Sequence, residues 1–330
     1  MARRALWGIR RLAVAVVVGS LLGGCGTAAD SGSAGDPGGG PGGRTAVTVE
    51  PIKSARTVTD VKGVTVHTPG PPKRVVCLVA LCDDMLAELD MRPVASNSRL
   101  LAHEKFLGPT EAAKIPVVPG GFLSPEAEAI LSFEPDLVIG LKDTHGKLAP
   151  ALKGATTFWP VEPDSWQDSV GYLRNLAALT GRTTEGERAE GAFRKKLSAA
   201  EAAPSGRTAL VMFGSDENFG VATPGTDVTA GLLPKIARYP WRSRGVDGTY
   251  SMEEILAHHV DVLFVETLSF GGPAKPGERL SDKLAKNPLW SRIPAVRNGK
   301  VIEVDPEVWA KGRGTRSLGI VLDEATAALR

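Results

Sequence analysis

The side chains of this chain best suited to metal or acid–base chemistry are five histidines and a few paired acids. Their spacing argues against both uses. His258 and His259 are adjacent, so on a helix they point about 100° apart and chelate one ion poorly. A zinc or manganese site would need several histidines or carboxylates converging from neighbouring loops, and only His145 and His103 stand where a loop could present one. No G-x-S-x-G elbow and no H-E-x-x-H helix occurs, while Asp83-Asp84 and Asp216-Glu217 are the acids expected at helix starts and turns. A secreted enzyme and a free-metal binder therefore rank below a binding protein, and no cofactor or resident metal is expected.

The chemistry that remains is recognition. Leu81, Cys82, Arg99, Lys142, His145, Ser215, Asn218, Thr267, Phe270, Trp309, Lys311 and Arg313 each follow an apolar, β-branched run that reads as a strand. In open α/β sheets the ligand crevice lies outside the carboxyl ends of the strands, and two facing sheets make one shared cleft there. The candidate set is apolar, aromatic and cationic. Such a lining suits a bulky ligand with a carbon skin and negative oxygens.

The elements that must hold these residues alternate. "RTVTDVKGVTVHTP" reads as a hairpin around Lys62 and Gly63. "RVVCLV", "RPVAS", "DLVIGL" and "TTFWPV" then read as strands. Helical spacing appears in "DMLAELD", in "SPEAEAILSF" with Ser124 as N-cap and Pro125 at the first helical position, and in "KLAPALKG". Next, "TEGERAEGAFRKKLSAAEAA" predicts one long helix opened by a Thr184–Glu187 capping box, with Ala189, Phe193, Leu197 and Ala200 on its apolar face. The alternation starts afresh with "TALVMFG" and ends in a helix from Thr315. The predicted fold is α/β: two lobes with mainly parallel sheets, 46–182 and 204–330, joined by a backbone helix over 183–203, with the cleft between them.

The N-terminus carries a different message. Arg3, Arg4, Arg10 and Arg11 precede the apolar run "LAVAVVVGSLL", the layout of an export signal over residues 1–24, by either the Sec or the twin-arginine route. Then comes "LGGC", which resembles the lipobox of bacterial lipoproteins and marks Cys25 as a lipidation site. Residues 25–45 are the lipidated cysteine and a linker of mostly Gly, Ser, Pro, Ala and Asp. Such a segment buries too little apolar surface to order itself, and about twenty residues of it span roughly 25 Å. Removing the leader's four arginines takes the net charge from +2 to −2, a near-neutral balance that argues against nucleic acid as partner. In an exported protein Cys77 and Cys82 could pair, a geometry that sequence alone leaves open.

"TVTDVKGVTV", "PKRVVCLVALCDDMLAELDMRPVA", "AEAILSFEPDLVIG", "YSMEEILAHHVDVLFVE" and "NPLWSRIPAVRNGKVIEVDPEVW", in that order, resemble the substrate-binding proteins that feed iron-siderophore, haem and cobalamin ABC importers. The resemblance implies a lipid-anchored, monomeric protein on the outer face of the cell membrane. Its partners would be a ferric siderophore and an ABC permease dimer with its ATPase. It further implies that Trp309 forms an aromatic wall whose fluorescence responds to ligand, and that Glu128 and Glu253 pair with permease arginines. Lys311 stands where hydroxamate-siderophore binders can carry a second aromatic, which argues against that class. Haem wants an axial Tyr, His or Met, and no tyrosine falls on a predicted cleft loop. Cobalamin stays open, since Trp309, Phe270 and Ser215 could serve it.

The N-terminal reading has a direct test. Mass spectrometry of the membrane fraction should find no peptide from residues 1–24 and a diacyl or triacyl group on Cys25. A soluble product beginning elsewhere would refute it.

Overall fold

The computed structural model describes residues 48–244, 249–268, 275 and 277–330. The leader, Cys25 and the whole linker lie outside the described residues, as does Phe270. Strands β1 (Thr57–Thr59) and β2 (Thr65–His67) form the expected antiparallel hairpin, with Val58 opposite Val66. Buried Asp60 shapes the turn by accepting the Lys62 and Val64 N–H groups, each at 2.9 Å, and it also accepts Trp159 Nε1 at 2.9 Å.

Two four-stranded sheets follow. The first has the order β4-β3-β5-β6, built from β3 (Val75–Cys77), β4 (Ala95–Ser96), β5 (Leu137–Leu141) and β6 (Thr157–Val161), all parallel. Pro160, which has no N–H to donate, sits in the edge strand β6, where proline is tolerated. The second has the order β10-β9-β7-β8. There β7 (Ala209–Gly214), β9 (Val262–Thr267) and β10 (Val301–Val304) run parallel, and the short β8 (Gly220–Val221) returns antiparallel beside β7.

Strand side chains alternate between faces, and here both faces are covered. In β3 and β5, Val75, Cys77, Leu137 and Ile139 enter one core while Val76 and Val138 enter another. In β7 and β9, Ala209, Val211, Val262 and Phe264 face one core while Leu210, Met212, Leu263 and Val265 face the other. This double burial is why the strands read as continuous apolar runs rather than as alternating ones.

The chain passes between the sheets through two antiparallel helices, Trp166–Thr180 and Thr183–Glu201. Gly181, at φ 74°, ends the first in the left-handed conformation that glycine adopts most cheaply. Because that cap reverses the chain at once, the second helix already starts at Thr183, with Arg182 at its N-cap. The expected Thr184–Glu187 capping box is therefore not formed, and Glu187 Oε1 instead accepts the Ile52 N–H at 2.6 Å. Ser124 is likewise not a cap. The Glu126 N–H closes a loop onto the Pro119 carbonyl at 3.0 Å, which delays the helix to Ala127–Ser132.

The last helix, Thr315–Ala328, lies on Thr183–Glu201 and meets the Ala80–Glu88 helix of the first sheet. At that meeting the buried Asp84 carboxylate caps the start of the last helix. Asp84 Oδ2 accepts the Ser317 N–H at 2.8 Å and the Ser317 hydroxyl at 2.5 Å, and Oδ1 accepts the Arg316 N–H at 3.1 Å. Residue 314 must be glycine for this contact, because a Cβ there would lie 2.2 Å from Asp84 Oδ1. Arg316 reaches back to donate to the Ala87 carbonyl at 3.0 Å and to Glu88 at 3.3 Å. Phe193 and Leu197 of the linking helix, Ala80 and Leu100 of the first part, and Trp309 and Leu318 of the second share one apolar cluster. The sheets are thus joined by a common core as well as by the chain.

Burial pushes the Asp84 carboxyl up to about 7, with Glu88 adding to the rise and Ser317 opposing it. A folded-state value above that of the unfolded chain means that folding favours the protonated acid, so this stability is full below about pH 4 and is lost as pH rises toward 7. Asp84→Asn removes that titration. In urea unfolding the wild type should lose stability relative to the variant by up to about 1.4 kcal/mol per pH unit across this window. A difference that stays constant with pH would show that Asp84 does not titrate there.

Candidate functional site

A cavity of about 560 Å³ opens between the carboxyl ends of the two sheets. From the first lobe it is lined by Val79, Ala80 and Leu81 after β3, by Asn97, Ser98 and Arg99 after β4, by Leu141 after β5 and by Pro163 after β6. The segment Val117–Leu123 adds Val117, Gly120, Gly121, Phe122 and Leu123. From the second lobe come Glu307, Lys311 and Arg313, beyond β10.

The first-lobe wall is held rigidly from behind. Cys77 and Cys82 form a disulfide that closes the loop carrying Val79, Ala80 and Leu81. His145 is fully buried. Its Nδ1 accepts the Leu141 N–H at 2.9 Å, which leaves the proton on Nε2 to donate to the Phe122 carbonyl at 2.7 Å. Burial holds this imidazole below its ordinary pKa and therefore neutral. Gly140 makes room for it, since a Cβ there would come within 2.9 Å of the His145 Cβ. Asn97 Nδ2 donates to the Gly121 carbonyl at 3.1 Å, and the Ser96 N–H donates to the Pro116 carbonyl at 2.9 Å. These bonds fix a segment whose Val117 and Leu123 are 71% and 62% exposed, an apolar strip left open to the cavity.

The electrostatics are asymmetric. Arg99, Lys311 and Arg313 line the cavity with a single acid, Glu307, among the described residues. Arg313 adopts a left-handed backbone at φ 58° and donates from Nε to the Ala310 carbonyl at 3.0 Å. Behind it stand Asp227 and Glu266, whose carboxyls burial pushes up; Arg313 opposes the rise in both. Under the floor, Asp83 accepts the Ser96 hydroxyl at 2.7 Å and the Ser98 hydroxyl at 2.5 Å. Burial nevertheless pushes Asp83 up to about 7. Among the described residues no group of three or more His, Cys, Asp or Glu side chains is placed to hold a metal ion.

Of the residues expected from sequence, Leu81, Arg99, Lys311 and Arg313 come together on this cavity. The others are placed elsewhere. Cys82 is buried in its disulfide, and His145 supports the wall without reaching the cavity surface. Lys142 is exposed and pairs with Glu162 at 2.9 Å. Ser215 and Asn218 lie exposed in the β7–β8 turn, where the Ser215 carbonyl accepts Lys283 Nζ at 2.5 Å and the Asn218 N–H donates to Asp216. Thr267 is buried, accepting the Leu280 N–H at 2.9 Å and donating to Glu303 at 3.1 Å. Trp309 is not a wall residue. It is fully buried against Phe264, ring centroids 4.7 Å apart, and its Nε1 donates to Glu324 at 2.7 Å. The segment Glu307–Gly312 is a π-helix, and this wider turn rolls residue 309 inward while 307 and 311 face the cavity. Sequence reasoning missed Val117, Phe122, Leu123 and Glu307. The first three carried a signal in "VVPGGFL", apolar residues beside a Gly-Gly turn and outside any periodic element.

The chain is thus a two-lobed α/β body with a cleft at the carboxyl ends of its strands. The family described as periplasmic binding protein matches residues 75–308, and the chain belongs to it. The Fe(3+)-citrate-binding protein YfmC of Bacillus subtilis is 24% identical over 274 residues, covering 80% of this chain and 83% of that one. The B. subtilis protein named "Probable siderophore-binding lipoprotein YfiY" is 25% identical over 286 residues, covering 82% and 86%. Among solved structures, the triscatecholate siderophore binding protein FeuA of B. subtilis, complexed with ferri-bacillibactin, superposes with a TM-score of 0.64 at 20% identity over 83% of this chain and 98% of that one.

Proposed function

We propose that this protein captures an anionic ferric siderophore complex outside the cytoplasmic membrane and delivers it to an ABC importer. The observation that carries the reading is the cavity itself, with an exposed apolar strip on one side and Arg99, Lys311 and Arg313 at the rim. A ferric chelate presents both a carbon skin and negative oxygens, and guanidinium groups bind such oxygens strongly. The names of the relatives, ferric citrate for YfmC and a siderophore for YfiY and FeuA, point the same way. The lipobox at Cys25 and the lipoprotein name of YfiY support a lipid anchor on the outer face of the membrane.

Docking is read from the first helical turns on each lobe. Glu128 lies exposed in the first turn of Ala127–Ser132, and Glu253 lies exposed in the first turn of Met252–Ala257. Glu254 is occupied: it closes a capping box with Ser251 and pairs with Arg244 at 2.8 Å, which leaves Glu253 as the outward acid. These two acids are proposed to meet basic residues of the permease dimer.

Three experiments test the proposal. Protein purified with whatever it retains should show the visible absorption of a ferric complex, and titration should give a Kd of roughly 10 nM to 1 μM. Arg99→Ala or Arg313→Ala should weaken an anionic complex by about 1.5–3 kcal/mol each, the worth of a charge-assisted hydrogen bond, and a neutral one by less. Equal losses on both would discard the cationic rim. Glu128→Arg and Glu253→Arg should leave ligand affinity and Tm unchanged while uptake into cells carrying the cognate permease falls sharply, because the reversed charge repels its partner. Wild-type uptake by either variant would remove that residue from the docking surface.

A further inference from the structure

One carboxylate stands among the cations of the cleft, and it is not idle. Glu307 Oε1 pairs with Lys311 Nζ at 2.6 Å, one turn along the same π-helix. Its other oxygen, Oε2, accepts the backbone N–H of Arg99 from the opposite lobe at 3.2 Å. The Glu307 side chain is 16% exposed, against 44% for Lys311, so the acid lies beneath the amine it neutralises. Its own N–H donates to Asp305 Oδ1 at 2.9 Å, which anchors the residue at the start of the turn. The carboxylate therefore spans the cleft, bonded to both lobes at the place where the cations converge.

We propose that Glu307 is an internal anion that sets the charge selectivity of the cleft. It occupies Lys311, and an entering carboxylate or other oxyanion must compete with it. The inference rests on the reading of the cleft as an anion-accepting site. Its physical content is simple. A negative guest within hydrogen-bond reach of Lys311 comes within a few ångströms of a like charge, and it gains the ammonium only as Glu307 gives it up. A neutral guest meets no such opposition. Because Oε2 also holds Arg99, displacing Glu307 frees one bond between the lobes, which couples anion entry to the contact across the cleft mouth.

Glu307→Gln separates charge from shape. The amide oxygen still accepts the Arg99 N–H, but the group no longer neutralises Lys311 or repels an anion. Metal-free citrate and ferric citrate serve as anionic probes, and an uncharged ferric trihydroxamate as the neutral one, in titration calorimetry at low salt. The variant should bind both anions about three- to tenfold more tightly than wild type, as expected for one like charge removed at close range in a high effective dielectric. Its affinity for the neutral complex should change less than twofold, and 1 M NaCl should compress the gain. Glu307→Asp keeps the charge and should stay near wild type. Equal citrate affinity in Glu307→Gln and wild type, no citrate binding in either, or an equal gain in Glu307→Asp would each overturn the inference. Failure of the wild type to bind any ferric complex, with the citrate difference intact, would instead overturn the ferric-siderophore reading and leave the role of Glu307 standing.

Discussion

The geometry of this molecule depends on a buried carboxylate of one lobe seated on a helix start of the other. Asp84 accepts three hydrogen bonds from Arg316 and Ser317, residues more than 230 positions away in the chain. A helix N-terminus leaves its first N–H groups unsatisfied, and the Asp84 carboxyl oxygens accept two of them together with the Ser317 hydroxyl. The same capping contact fixes the last helix against the Ala80–Glu88 helix, and each of these abuts a segment lining the cleft. Arg316 completes the joint by crossing back to the Ala87 carbonyl and Glu88. The two lobes are thus held together by buried hydrogen bonds and a shared core as well as by the chain.

Above that base the two walls are built for different tasks. The first lobe supplies shape. A disulfide closes the Val79–Leu81 loop, and a neutral, buried His145 props the strip that carries Phe122. Rigid apolar surface costs little further ordering when a ligand arrives, which favours affinity through preorganisation. The second lobe supplies charge on a short π-helix whose register turns Lys311 and Glu307 outward and Trp309 inward. Anchoring reaches this turn from behind as well: the Trp309 carbonyl accepts the Thr229 hydroxyl at 2.6 Å, and the Trp309 indole donates to Glu324.

Much of the architecture was legible in the sequence because its signals are local. Runs such as "RVVCLV" and "VDVLFVE" are β-branched and continuous, as strands buried on both faces must be. In the last helix Leu318, Val321, Leu322 and Ala325 recur at helical spacing, and all four are buried. The caps were harder. Ser124 and Thr184 are good capping residues by type, yet the Pro119 carbonyl and the reversal at Gly181 displaced both helix starts.

The candidate site divides along the same line. The sequence by itself determined the α/β alternation and the family resemblance, and it selected Leu81, Arg99, Lys311 and Arg313 because strand ends project predictably toward a shared cleft. Only the tertiary structure decided which way each neighbouring residue faces. Trp309 turned into the core because a π-turn changes angular register, Lys142 turned to Glu162, and His145 withdrew beneath Phe122. The apolar strip at Val117–Leu123 belongs to no periodic element, and the bridging Glu307 opens a short π-helix that the sequence pattern did not reveal. Their exposure toward the cleft comes from contacts with residues distant in the chain, among them Asn97 with Gly121 and Arg99 with Glu307, and no window of sequence contains those contacts.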